Sequence, residues 1–255
     1  MKPALQIFAL EDIPLVEPED TLHKLLIDAL EKKGLQPLSG DVLVIAQKIV
    51  SKSEGRYVYL NEVEPSAQAF ELEKKTGKPA ALVQVILDQT EEVLRVRGEL
   101  MIVRHKLGYI HANAGVDQSN IESSPDNPRV LLLPENPQQS AVELREKLST
   151  HYGCSVSVVI NDSAGRPWRN GITGFALASA GFSAVVDKCG SADLFSRPMQ
   201  VTQIAVADEL ASAASLVMGQ ADESVPAVLL RGAALEPEFE NNIPLIRDYN
   251  FDLFK

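Results

Sequence analysis

The residues best suited to chemistry form one short run, Asp162-Ser163-Ala164-Gly165-Arg166-Pro167-Trp168-Arg169. It follows the apolar stretch Val156 to Ile160, which reads as a strand, and open α/β sheets present ligand-binding side chains just beyond strand ends. A carboxylate beside a hydroxyl supplies the oxygen donors that Mg2+ or Mn2+ prefers, and such ions keep positions open for water and phosphate. Taken alone, an Asp-Ser pair after a strand more often does no more than cap the next turn. Arg166 and Arg169 flank Pro167 and Trp168, which stiffen the loop. Two guanidinium forks on a stiff loop suit bidentate capture of phosphate or carboxylate, with simple packing of an Arg on Trp168 as the plainer alternative.

A second polar cluster is Asn113-Ala114-Gly115-Val116-Asp117-Gln118-Ser119-Asn120. Gly115 permits a tight turn, and Asp117 and Asn120 can converge on one ligand. As an isolated feature it is an ordinary loop, and only its combination with Asp162 suggests a two-carboxylate metal site. Lys48 and Lys52 lie four apart after a buried strand, so a helix there would put both on one face within reach of phosphates. A solvated charged face is the simpler reading of that pair.

Several chemistries find no support. The chain carries neither Gly-x-x-x-x-Gly-Lys-Ser/Thr nor Gly-x-Gly-x-x-Gly, so a standard P-loop or dinucleotide fold is not indicated. His23, His105, His111 and His151 lack metal-ligand spacing and read as structural. Cys154 and Cys189 read as free thiols. A formal net charge of -11 argues against nucleic acid or an anionic membrane as partner, since phosphate backbones demand clustered Lys and Arg. The weakly polar stretch from 173 to 186 falls short of the roughly 20 apolar residues that span a bilayer. The start, Met1-Lys2-Pro3, lacks a secretory apolar core, so a cytoplasmic enzyme is expected.

The elements that must position these residues alternate in type. Helices are expected over Thr21 to Lys33, in two pieces over 66 to 89 broken near Gly77, from a Ser140 cap to Gly153, from about Gly174, and from Thr202 to Met218 closed by Gly219. Strands are expected over Gly40 to Ala46, Val156 to Ile160, Ala184 to Asp187 and Ala227 to Leu230, with a hairpin turning at Gly98-Glu99. Strands both alternate with helices and pair as hairpins, which predicts an α/β fold with a mixed sheet. The chain reads as one domain over 1–255, with the Pro-rich stretch 122–138 as the candidate junction of two subdomains.

On these and further motifs the sequence resembles the F420:gamma-glutamyl ligases, also called coenzyme F420-0:L-glutamate ligases. The carrying residues are Ile13-Pro14-Leu15, the run from Gly40 to Arg56 containing Gln47-Lys48 and Lys52, the 113–120 cluster and Gly165 to Gly171. Ala205 to Leu210, Leu216-Val217-Met218-Gly219 and a C-terminal Asp252-Leu253-Phe254 complete them, in order and over nearly the whole chain.

The resemblance implies an F420 ligase-like fold seen as an intertwined homodimer. It implies a GTP-dependent ligase that joins L-glutamate to the terminal carboxylate of a deazaflavin coenzyme precursor through an acyl phosphate, with Mg2+ or Mn2+ and K+. Carried onto matching positions, Asp117, Asp162, Ser163 and Gln220 would hold metal. Ile13, Pro14, Leu15, Gln47, Lys48, Lys52, Asn120 and Gly219 would line the nucleotide site, and Arg166, Arg169 and Lys52 would act on phosphate or acceptor. Ala164, Lys188 and Cys189 depart from the usual pattern near the presumed acceptor, which motivates a related ligase with another carboxylate acceptor as the alternative. A metal- and nucleotide-binding paralogue without turnover is the alternative from a different class.

Overall fold

The structure is a computed structural model that describes residues 4–238 and 243–252, so Met1-Lys2-Pro3 and the Leu253-Phe254 end of the C-terminal motif lie outside it. The chain runs β1 (Gln6–Leu10), α1 (Leu22–Lys32), β2 (Val42–Ala46), α2 (Gln47–Ser53), β3 (Tyr57–Tyr59), α3 (Ala67–Thr76), α4 (Ala80–Asp88), β4 (Thr90–Arg97), β5 (Leu100–His105) and β6 (Ile110–Ala112). It continues with β7 (Arg129–Leu131), α5 (Pro137–Tyr152), β8 (Ser157–Arg166), β9 (Arg169–Ala180), β10 (Val186–Asp187), β11 (Gln203–Ile204), α6 (Val206–Met218) and β12 (Ala227–Arg231).

The main sheet has the order β1-β12-β2-β8-β9. Only β2 and β8 run parallel, so the fold is mixed α/β as expected. The Val42 to Ile45 run is apolar without alternation because both its faces are covered. Leu43 and Ile45 join the core under α1 and α5, while Val42 and Val44 join the one under α6. A third core unites α3 and α4 with the β4-β5-β6 sheet through Leu72, Val83, Ile86, Met101 and Val103. Gly77 ends α3 in a left-handed conformation and Gly98 turns the β4–β5 hairpin, both as the sequence predicts. Among the described residues no helix is long and apolar enough to cross a membrane.

Three expectations are corrected. The helix predicted from Gly174 is strand β9, which ladders against β8 from Val158↔Ala180 out to Arg166↔Arg169. Its small residues serve close packing: a Cβ at Gly174 would fall 2.2 Å from Ser215 Oγ and 2.5 Å from the Ala211 carbonyl on α6. Helix α5 starts one turn before Ser140, with Asn136 as its cap accepting from Gln139 N at 3.1 Å and Pro137 in the first turn. Ser140 Oγ donates to Glu54 Oε1 at 2.6 Å instead. The run from Asp162 is no loop beyond a strand end but the continuation of β8, with Pro167 and Trp168 at the tip of its hairpin with β9.

Candidate active site

Helix α2 begins directly at the end of the buried strand β2, so Lys48 and Lys52 share a face over the C-terminal ends of the parallel pair. The loop they meet is shaped by backbone strain. Asn113, Ala114 and Gly115 all have positive φ, and a Cβ at Gly115 would sit 2.8 Å from Leu133 Cγ, so only glycine fits. Asp117 is then fixed by a reciprocal pair of 2.9 Å backbone bonds with Leu131.

The contacts tie three chain segments together. Lys48 Nζ pairs with the Asp117 carboxylate and donates to Ser119 Oγ at 2.8 Å. Asp117 Oδ1 accepts from Ser119 N and Oγ, each at 2.8 Å. Lys52 Nζ donates to the Asn120 carbonyl at 2.8 Å, and Asn120 Nδ2 to the Ala221 carbonyl at 2.8 Å. The Ala221 loop leaves α6 through Gly219, whose φ of 73° and ψ of -173° suit glycine alone.

Between these segments lies a cleft of about 720 Å3. Every site residue named from the sequence lines it except Arg166 and Arg169. A crevice beyond the carboxyl ends of parallel strands is where open α/β sheets bind ligands. Its electrostatics are pre-set. Burial disfavours the Asp117 anion, but the Lys48 hydrogen bond and charge outweigh it and hold the carboxyl below its usual range. Burial pulls the Lys52 ammonium below the ordinary lysine value; Glu17 opposes this without cancelling it, because Lys48 and Arg129 add to the effect.

A sequence model of the family described as F420-0:Gamma-glutamyl ligase matches residues 11–232. The chain is 40% identical to the coenzyme F420:L-glutamate ligase of Methanothermobacter thermautotrophicus, over 98% of this chain and 99% of the relative. It is 43% identical to the protein of the same name from Methanopyrus kandleri over 92% and 90%, and 42% identical to that from Methanocaldococcus jannaschii over 85% of each. The chain belongs to the F420-0:gamma-glutamyl ligase family. It is accordingly an enzyme, a ligase that forms carbon–nitrogen bonds.

Whether this ligase's residues suit a divalent ion can be judged from their donors. No group of three or more His, Cys, Asp and Glu side chains gathers into a metal cage among the described residues. Carboxylates line the cleft singly along its walls, Glu17, Asp117, Glu122, Asp162, Asp222 and Glu223, and the Ser163 hydroxyl and the Gln220 amide line it with them. Asn161 Oδ1 is buried and has no hydrogen-bond partner among the described residues, and Asn161 also lines the cleft. Oxygen donors that do not close into a cage fit a hard ion that completes its shell with water and phosphate.

One functional neighbour escapes the sequence reading. His111, read as structural, places Nε2 3.1 Å from Asp162 Oδ2, while Nδ1 lies 3.1 Å from the Ala112 carbonyl. Burial opposes its charged form, yet the Asp162 hydrogen bond and charge raise its pKa above the ordinary value. The pairing joins β6 to β8 across 51 positions, which no local spacing reveals. The one available hint is that His111 stands two residues before the 113–120 cluster.

Arg166 and Arg169 stand apart, at the exposed hairpin tip. Arg166 donates to the Gly171 carbonyl at 3.2 Å, and Trp168 is 91% exposed with φ of 63°. Neither guanidinium stacks on Trp168 among the described contacts.

Proposed function

We propose that this ligase consumes GTP to join L-glutamate to the terminal carboxylate of the deazaflavin coenzyme F420-0. The observation carrying this reading is the convergence of Lys48, Lys52, Asp117 and Asp162 in one cleft at the ends of the parallel strands, in a chain of this family.

A carboxylate resists amine attack until one of its oxygens becomes a leaving group. In the proposed reaction an acceptor carboxylate oxygen attacks the γ-phosphorus of GTP, giving an acyl phosphate and GDP. The glutamate amine then attacks the acyl carbon, phosphate departs with the original carboxylate oxygen, and the nitrogen loses a proton to leave the amide. Ile13, Pro14, Leu15, Gln47, Asn120 and Gly219, which line the cleft, would enclose the nucleotide. Lys52, whose pKa burial lowers, would offset charge on the transferring phosphoryl. Lys48 balances Asp117 until phosphate arrives and can then share its ammonium with it. Mg2+ or Mn2+, held through Asp117, Asp162, Ser163 and Gln220, would neutralise the triphosphate, with K+ as an accompanying ion.

Arg166 and Arg169 enter this reading through a second copy of the chain. Trp168 stands exposed at the tip of the β8–β9 hairpin, whereas the partly exposed Ile172 lines the chain's own cleft, and in a homodimer that packs the tip the Arg pair would act in a partner's cleft.

The test is incubation of the purified chain with GTP, Mg2+, L-glutamate and the coenzyme precursor, with ATP in a parallel series. Glutamylated product that depends on GTP and metal is expected. Full activity in both Asp117→Ala and Asp162→Ala would reject the site.

A further inference from the structure

We propose that His111 is a positioning residue for Asp162, fixing the orientation in which that carboxylate faces a divalent ion. The inference rests on the metal role proposed for Asp162 and adds a residue that no motif assigns.

The geometry is specific. The His111 side chain is 10% exposed and that of Asp162 14%, so little water competes for their contact. Both ring nitrogens lie against acceptors, Asp162 Oδ2 on one side and the Ala112 carbonyl on the other, each at 3.1 Å. A ring so pinned cannot pivot, and the Phe175 ring, 5.8 Å away between centroids, backs it. Asp162 Oδ1 meanwhile accepts from its own neighbour, Ser163 N, at 2.8 Å. Each carboxylate oxygen is thus held from the protein side, and the remaining lone pairs are left for the cleft that Asp162 lines. Hydrogen-bonded support of a ligating carboxylate typically changes metal affinity by about 10- to 100-fold when removed.

The support also comes from elsewhere in the fold. His111 sits on β6, in the sheet packed with α3 and α4, whereas Asp162 extends from the main sheet. The same strand leads into the strained turn that carries Asp117. One short strand therefore fixes both carboxylates, Asp117 through the chain and Asp162 through the imidazole.

Mn2+ binding to the full-length chain without nucleotide, followed by loss of the free-ion electron paramagnetic resonance signal, tests this without turnover. His111→Gln keeps a donor near the Nε2 position, whereas His111→Asn keeps one only near Nδ1. The expected result is about tenfold weaker Mn2+ binding in His111→Asn and near wild-type binding in His111→Gln, with matching circular dichroism and melting temperature. Wild-type binding in His111→Asn overturns the proposal, as does equal loss in both variants, which would assign the effect to ring packing. Tighter binding in His111→Asn also overturns it, since His111 would then be a cation competing with the metal. Asp162→Asn separates the two levels: if it binds Mn2+ as well as wild type, the metal role of Asp162 itself fails. If it loses binding while His111→Asn does not, only the positioning claim fails.

Discussion

The cleft and the β8–β9 hairpin tip contain the same kinds of residue, cations beside oxygen donors, yet the fold treats them in opposite ways. At the cleft, Lys48 and Lys52 are held by Asp117, Ser119 and Asn120, on loops locked by residues with positive φ. At the tip, the Arg166 side chain donates to a neighbouring carbonyl and Trp168 stands in solvent. A charged residue becomes a precise instrument when its partners are fixed before the ligand comes. The cleft meets that condition within one chain, and the tip meets it only against something else.

The comparison breaks first at the carboxylates. Asp117→Asn and Asp162→Asn should each lower kcat by about 10²- to 10³-fold in the ligase assay, the scale on which preorganised electrostatic groups act. Removing one cleft cation with Lys52→Ala should cost about 10²-fold, mainly in kcat, if, as proposed, its charge offsets that of a transferring phosphoryl. If Lys52→Ala raised only KM for GTP, the residue would serve binding alone.

At the tip, Arg166→Ala with Arg169→Ala should cost about tenfold, less than either cleft carboxylate. Mixing that double variant with Asp162→Asn sharpens the point: a hairpin acting in a partner's cleft predicts recovered activity that neither variant has alone. No recovery, together with a dimer by light scattering, would confine the tip to a role outside the reaction.

The smallest effect separates chemistry from the framework beneath it. His105, in the sheet that carries His111, is pushed by burial down to about 4 from 6.5. The unfolded chain binds the proton that the folded chain refuses, so stability present above pH 6.5 is lost as pH falls toward 4. Urea midpoints should decline over that window and decline less in His105→Asn. An equal decline in both would place the acid sensitivity elsewhere.

The sequence made the strand interiors legible because burial on both faces leaves an unbroken apolar run, as in Val42 to Ile45. It made the cleft's chain segments legible because each strained or capped turn needs particular residues, Gly115 and Gly219 among them. It misled where tertiary contact overrides local preference. The small residues of β9 look helical until α6 is laid across them, and Asp162 looks like a loop residue until its ladder with Phe175 is seen. His111 was illegible for the same reason, since its partner is supplied by another sheet.

The central claim, that the cleft turns a carboxylate into a leaving group by phosphoryl transfer, is tested most directly with an acceptor whose terminal carboxylate carries oxygen-18. The phosphate released during GTP-dependent glutamylation should contain one labelled oxygen per amide formed, and Asp162→Asn should lower label transfer and amide formation together, by about 10²- to 10³-fold. Amide formed with unlabelled phosphate would contradict it.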